Sequence, residues 1–287
     1  MNPPLIEHQI KSQTDRNNAI SPAAKLLLTL RFYATGCMLI TAGDFIGVSK
    51  ASACYIVTKV TEAIASLRER YIKFPGTQFP QVIGVIDCTH VRIMSSGGNE
   101  AERYRNRKGF FSWNVQTICD ARLRIIDIVA RWPGSSHDQT IYNNSRVKGT
   151  LQDNEFGNSI ILGDSGYANT NYLITPLDHP NIPAEVLFNE SHVRTRNCVE
   201  RSYGVWKRRF PVLSVGIRVS LDHSKAIVVA TAVLHNIAIE ENENKPPIEI
   251  EMEDVPVPLS DVLVRRVAHE NNRMRNSLIN NNFTNLL

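Results

Sequence analysis

The sequence predicts an α/β protein in which a helical region precedes a mixed β-sheet whose core runs β-β-β-α-β. Three observations predict it. Residues 22–66 carry apolar side chains at helical spacing. From residue 80 the pattern changes to Val- and Ile-rich runs of strand length. A fourth such run, 159–163, follows only after a turn and a helical stretch. With 287 residues, 43% of them apolar, the chain can bury a core as one large domain, or as a main domain beside a smaller helical one.

Taken in order, residues 1–20 are polar with two prolines and are expected to be a flexible N-terminus. Within the helical region, 21–75, Leu26, Leu27, Leu30 and Tyr33 give one apolar face. The stretch Asp44-Phe-Ile-Gly-Val-Ser49 then offers Gly47 for a tight turn and Ser49 as an N-cap for a helix over 50–64. That pattern is helix-turn-helix-like; it fits direct reading of DNA bases and equally a helical hairpin that only packs.

The main domain is expected over 80–240. Its first three strands are Val82 to Met94, Phe111 to Cys119 and Leu123 to Arg131, the last two joined by the short Asp120-Ala-Arg link. Trp132-Pro-Gly-Ser-Ser136 reads as a turn with N-cap serines, opening a helix that runs to about Asn144. The strand 159–163 follows, then a basic helix over 190–209 and an apolar helix over 222–240 marked by His223, Ala226, Val229, Val233, His235 and Asn236. An acidic linker and C-terminal tail fill 241–287, with a short helix expected within 259–280. This element order resembles the ribonuclease-H-like fold, in which the first and fourth strands are neighbours.

That adjacency gives three acids a common meaning. Asp87 closes the apolar run Gln81-Val-Ile-Gly-Val-Ile-Asp87, Asp164 closes Ser159-Ile-Ile-Leu-Gly-Asp164, and Glu200 lies in the basic helix. Mg²⁺ and Mn²⁺ are hard cations that take oxygen ligands from a few carboxylates together with waters and phosphates. Two such ions about 3.5–4 Å apart activate an attacking water and stabilise a leaving oxygen. Each acid also has a plainer role. Asp87 can end a strand, Asp164 before Ser-Gly can make a turn, and Glu200 can pair with Arg196 on a solvated helix face. Asp138 is a fourth candidate metal ligand, although an acid in the first turn of a helix is also favoured by the macrodipole.

Net charge is +4 with pI near 8.8, and the positive charge sits mid-chain. Arg103, Arg105, Arg107 and Lys108 form one basic cluster; Arg194, Arg196, Arg201, Lys207, Arg208 and Arg209 form another, interleaved with Tyr203 and Trp206. Beside a phosphate site they read as clamps on a DNA backbone; away from one they read as a solvated face. His90, His137 and His235 lack zinc-site spacing, which leaves His90 and His137 as hydrogen-bond partners of the acids. Five unpaired-looking cysteines at 37, 54, 88, 119 and 198 point to reduced thiols, and no apolar run reaches membrane-spanning length.

Six blocks resemble the PIF/Harbinger transposases and the HARBI-type nucleases derived from them. They are Gly-Val-Ile-Asp87-Cys-Thr-His-Val, Tyr104-Arg-Asn-Arg-Lys-Gly-Phe-Phe-Ser-Trp-Asn-Val-Gln, Trp132-Pro-Gly-Ser-Ser-His-Asp138, Leu162-Gly-Asp164-Ser-Gly-Tyr, Phe188-Asn-Glu-Ser-His and Val199-Glu200-Arg-Ser-Tyr-Gly-Val-Trp-Lys-Arg-Arg-Phe. Their order and spacing carry the resemblance from about Ser21 to Asn236. It implies a DDE nuclease domain over 80–240 that cuts DNA with Mg²⁺ or Mn²⁺. Asp87, Asp164 and Glu200 take the triad positions, and Asp138 that of a further metal ligand. It also implies a nuclease without transposase activity, nuclear and also cytoplasmic, working with a separate Myb-like DNA-binding protein, with a homo-oligomer left open. The rival expectation is a DNA-bound adaptor or regulator that keeps the acids and cleaves nothing.

Overall fold

The Val- and Ile-rich runs assemble into one five-stranded sheet in a computed structural model that describes residues 6, 9–11, 19–74, 82–95, 97, 98, 100–243 and 273–284. Strands β1 (Val82–Arg92), β2 (Ser112–Cys119) and β3 (Ile125–Pro133) pair antiparallel, as the short link at Asp120 requires. Strands β4 (Ile160–Leu162) and β5 (Leu173–Ile174) are parallel to β1 and to each other in turn, giving the order β3-β2-β1-β4-β5. The expected β1–β4 adjacency is present, and the mixed sheet is consistent with a ribonuclease-H-like fold. Strand β5 was not expected; two residues are too few to show a period.

Before the sheet lie α1 (Pro22–Thr35), α2 (Leu39–Asp44), α3 (Lys50–Ala65) and α4 (Arg68–Tyr71). Ser49 caps α3, its Oγ accepting from Ser52 N at 3.2 Å, and Gly47 takes φ +70° in the turn before it. The apolar face of α1 differs from the expected one. It departs at one position: Tyr33 is buried, its hydroxyl 2.6 Å from Thr61 Oγ1, and Leu26 and Leu30 pack against the core, whereas Leu27 is exposed and Leu28 and Phe32 are buried instead. A run of three leucines fits two neighbouring faces, and only packing on α3 chooses between them.

The turn after β3 also departs from expectation. Trp132 and Pro133 still pair with β2, so α5 (Asp138–Asn143) starts late, with His137 rather than a serine at its N-cap. A second short helix, α6 (Arg146–Gln152), follows it. The basic helix begins earlier than expected: α7 spans Pro183–Arg209, proline serving at its first turn. After the short α8 (Val212–Val215) comes α9 (Leu221–Glu240), apolar on nearly all sides because it is sandwiched between β3 and α3. Of the expected tail helix, α10 (Arg273–Leu278) is described; most of segment 1–20 and residues 244–272 of the linker and tail lie outside the described residues.

Polar contacts fix α7 and α9 on the sheet. Asn236 bonds the Ile125 N–H and C=O at 2.9 and 2.7 Å, completing an edge that β3 would otherwise leave open. Leu123, at φ +69° in the β2–β3 turn, offers its carbonyl to two helices at once. The Ser202 hydroxyl donates to it from α7 at 3.1 Å, and His235 Nε2 lies 2.9 Å away on α9.

Candidate active site

The site begins with strand register. Val85 on β1 stands opposite Leu162 on β4 in the last pair of their parallel ladder. Asp87 and Asp164 each lie two residues beyond that pair, so both acids emerge side by side where β4 leaves the sheet. Strand β1 runs on past Asp87 to Arg92, close to the expected Val82 to Met94, so the plainer role of Asp87 as a strand end does not apply; it is the neighbour β4 that ends. The opening at the carboxyl ends of parallel strands is where an open α/β sheet makes room for a ligand.

All three oxygens of Asp87 are held. Its Oδ1 accepts from Cys88 N at 2.8 Å and its Oδ2 from Arg196 Nη2 at 3.0 Å. Its backbone carbonyl accepts from the Tyr203 hydroxyl at 2.8 Å, which itself accepts from Thr117 Oγ1 at 2.9 Å. Burial pushes the carboxyl up to about 6; the Arg196 charge offsets part of that, and the Asp164 charge adds to it. Asp164 sits in a tight turn, Oδ1 accepting from Gly166 N at 2.9 Å. A Cβ at 166 would come within 3.0 Å of that oxygen, so a larger residue there would push the carboxylate aside.

Glu200 arrives from α7 and is exposed. The helix brings more than the acid. Residues 196, 200, 203 and 207 fall at i, i+4, i+7 and i+11, one stripe facing β1. Arg196 Nη2 reaches all three acids: 3.0 Å to Asp87 Oδ2, 3.6 Å to Glu200 Oε1 and 4.0 Å to Asp164 Oδ2. Among the described residues no three His, Cys, Asp or Glu side chains stand close enough to hold an ion as they are, because this guanidinium lies between the acids. The donor set itself, three carboxylates around one positive centre, is the chemistry a hard divalent cation takes.

Lys207 and the aromatics correct the expectation of a solvent-facing clamp. Lys207 Nζ donates to Thr89 Oγ1 at 2.7 Å and to the His90 carbonyl at 2.9 Å. Burial lowers its pKa to about 8, with Lys108 nearby contributing. Trp206 is fully buried and Tyr203 nearly so; both are core residues. Arg196 likewise turns inward.

The other predicted cations divide by partner. Arg103 pairs with Glu100, Arg105 with Glu102, Arg194 with Glu190 at 3.8 Å and Arg209 with Glu243 at 2.6 Å. Arg208 lies against Gly204. Arg107, Lys108 and Arg201 are exposed and show no ion pair among the described residues.

Asp138 falls in a neighbouring cluster. Asn114, opposite His90 and therefore on the other sheet face from Asp87, donates to Asp138 Oδ1 at 2.8 Å and to the Ser136 carbonyl at 2.8 Å. Cys88 lies 3.5 Å from the Tyr167 hydroxyl, and His90 Nδ1 lies 3.1 Å from Ser112 Oγ, in the same layer. No ion pair joins Asp138 to Arg196 among the described residues. Asn114 and Thr117 were not singled out from sequence, and Tyr203 was named only as an aromatic among the basic residues. The helical spacing of Tyr203 from Arg196 and Glu200 was a usable signal; the strand pairing that brings Asn114 and Thr117 in was not.

A model of the DDE superfamily endonuclease family matches residues 86–236, the span that holds all four acids. The chain is 33% identical over 254 residues to "Putative nuclease HARBI1" of Homo sapiens, covering 82% of this chain and 72% of that one. It is 31% identical over 300 residues to the protein of the same name from Rattus norvegicus, covering 98% and 85%. "Protein ALP1-like" of Arabidopsis thaliana is 23% identical over 253 residues, covering 78% and 62%. No solved structure matches the chain.

Proposed function

Because the chain belongs to the DDE superfamily endonucleases and is a HARBI-type, transposase-derived member of them, we propose that it hydrolyses DNA phosphodiester bonds with a divalent cation, Mg²⁺ or Mn²⁺, and does not transpose. The observation that carries this reading is the gathering of Asp87 from within β1, Asp164 from beyond the end of β4 and Glu200 from a helix around one positive charge. Asp87 would be the ligand common to two ions, with Asp164 and Glu200 flanking it; Asp138, bonded to Asn114 on the other sheet face, would stand outside that set. When bound, the cations supply an activated water and neutralise the leaving oxygen.

The chain's own residues do the rest. Tyr203 and Cys88 N hold the Asp87 carbonyl and Oδ1, which fixes the backbone that presents this ligand. Arg107, Lys108 and Arg201 grip phosphates by charge, which positions the duplex without reading its sequence. The helix pair α2–α3 is a candidate second DNA contact of helix-turn-helix type, and a Myb-like partner in the nucleus would supply the remaining targeting. The test is nicking of supercoiled plasmid in Mg²⁺ or Mn²⁺ by wild type beside Asp87→Ala and Asp164→Ala. Cleavage by wild type alone supports the proposal; equal cleavage by all three removes the site. A second reading, a silent DNA-binding adaptor, draws on the ion pairs that already occupy the acids; retained DNA binding with no cleavage by any of the three would favour it.

A further inference from the structure

The metal-dependent reading leaves Arg196 to be explained. Its side chain is three-quarters buried, and a single nitrogen, Nη2, bonds the acid on β1 and lies within 4.0 Å of the acids at the end of β4 and on α7 itself. That is an unusual use of the group. Arginine favours a planar fork against one carboxylate, two parallel bonds at a time. Here one nitrogen is shared three ways, at 3.0, 3.6 and 4.0 Å, as a small cation would be. Three carboxylates against one guanidinium leave the cluster two negative charges in excess, so the site still attracts cations.

The guanidinium and a metal ion cannot share this place. Mg²⁺ binds oxygen at about 2.0–2.1 Å, so the acids must close in on the ion from their present spacing around Nη2. A fixed positive charge at their centre would also repel the incoming ion.

Resting on that metal-dependent reading, we infer that Arg196 is the resident counter-ion of the metal-free site, and that a divalent cation enters by exchanging with its side chain rather than by adding to an empty cradle. Arg196 is then a positioning residue: it keeps three acids from repelling one another before loading, and it raises the cation concentration at which the site fills. Its place one helical turn before Glu200 lets the side chain swing aside while α7 stays put.

The experiment measures binding of Mn²⁺ alone to the full chain, by calorimetry and by the electron paramagnetic resonance of free Mn²⁺. Wild type is compared with Arg196→Met and with Arg196→Lys, with Asp87→Ala to show that the titrated site is this one. Thermal denaturation in chelator and in Mn²⁺ runs alongside. Removing one competing charge at this range should tighten binding by at least about tenfold. Arg196→Met should therefore bind Mn²⁺ more tightly than wild type, melt earlier in chelator, and gain more on adding Mn²⁺; Arg196→Lys should fall between. If the Met variant does not fold, Arg196→Gln, which keeps a donor for Asp87 without the charge, carries the same expectation. Equal or weaker Mn²⁺ binding by a folded Arg196→Met or Arg196→Gln, with wild type binding normally, overturns the inference and leaves the nuclease reading intact. No Mn²⁺ binding by any form overturns both.

Discussion

His235→Gln offers a direct check on how α9 is fixed to the sheet. His235 is fully buried, with Nε2 2.9 Å from the Leu123 carbonyl and Nδ1 without a partner, so the ring is neutral with its proton on Nε2. Burial drives its pKa from 6.5 down to about 4, the Leu123 carbonyl opposing the shift and Arg209 adding to it. The folded protein therefore binds the proton less readily than the unfolded chain. Stability from this group is complete above pH 6.5 and is lost as pH falls toward 4. A shift of about 2.5 units corresponds to about 3 kcal/mol over the whole window, and about 2 kcal/mol of it disappears between pH 6.5 and 5. Glutamine can donate to the same carbonyl and cannot be protonated. Urea denaturation followed by far-ultraviolet circular dichroism at pH 7, 6 and 5 should show the variant somewhat weaker than wild type at pH 7. Its deficit should shrink by about 2 kcal/mol at pH 5. Wild type and variant losing stability in parallel from pH 7 to 5 would refute the argument.

Three further outcomes follow from contacts at the site. Asp87→Asn should abolish plasmid nicking yet leave the chelator-treated protein at pH 7 as stable as wild type or more so, by up to about 3 kcal/mol. Its carboxyl, raised to about 6, stabilises the fold below the unfolded value of 3.8 and loses that contribution as pH rises through 6, so at pH 7 the buried charge is a cost. Lower stability of the variant in a urea titration would contradict this. Tyr203→Phe should cost about 1–3 kcal/mol, because it strips a donor from the Asp87 carbonyl and an acceptor from Thr117, and should slow nicking with DNA affinity unchanged; unchanged stability and rate would show that the hydroxyl does not position Asp87. Cys119 Sγ and Cys198 Sγ are 3.7 Å apart on β2 and α7, so diamide should join them in the folded protein. Mass spectrometry would show the loss of two hydrogens in wild type, and its persistence in Cys198→Ser would exclude this pair.

What the sequence made legible was whatever repeats along the chain. Alternating Val and Ile marked β1 to β4, and the β-β-β-α-β order placed β1 beside β4, which is why Asp87 and Asp164 could be paired before any coordinates. Ser49 and Gly47 were readable because a cap and a left-handed turn are local needs. The choice between Leu27 and Leu28 on α1 was not, since Leu26 to Leu28 satisfy more than one helical stripe and the choice lies with α3. The same limit applied to charge. A run of Arg and Lys on α7 is identical in sequence whether its members face water or strand β1. Lys207 is turned inward by Thr89 and the His90 carbonyl, partners more than a hundred residues away.

The arrangement on α7 also constrains how the site can work. Arg196, Glu200, Tyr203 and Lys207 are four positions on one helical stripe; Arg196, Tyr203 and Lys207 meet β1, and Glu200 meets Arg196. A helix is stiff along its axis, so these groups move together or not at all, and any rotation that withdrew Glu200 would also pull Tyr203 from Asp87. Ser202 and the Leu123 carbonyl pin the middle of the helix to the β2–β3 turn, and Trp206 fills the core beneath its last turns. The backbone of α7 is thus fixed by packing that has nothing to do with charge. What remains adjustable is side-chain rotation, and among these four it is greatest for Arg196 and Glu200, whose tips end in ion pairs rather than in bonds to the strand backbone. On the proposed metal-dependent reading, loading of the site is therefore a matter of two side chains changing partners on a rigid frame. A mutation that loosens the frame, such as Trp206→Ala at about 3–5 kcal/mol, should lower stability and activity together, whereas one at Arg196 should separate them.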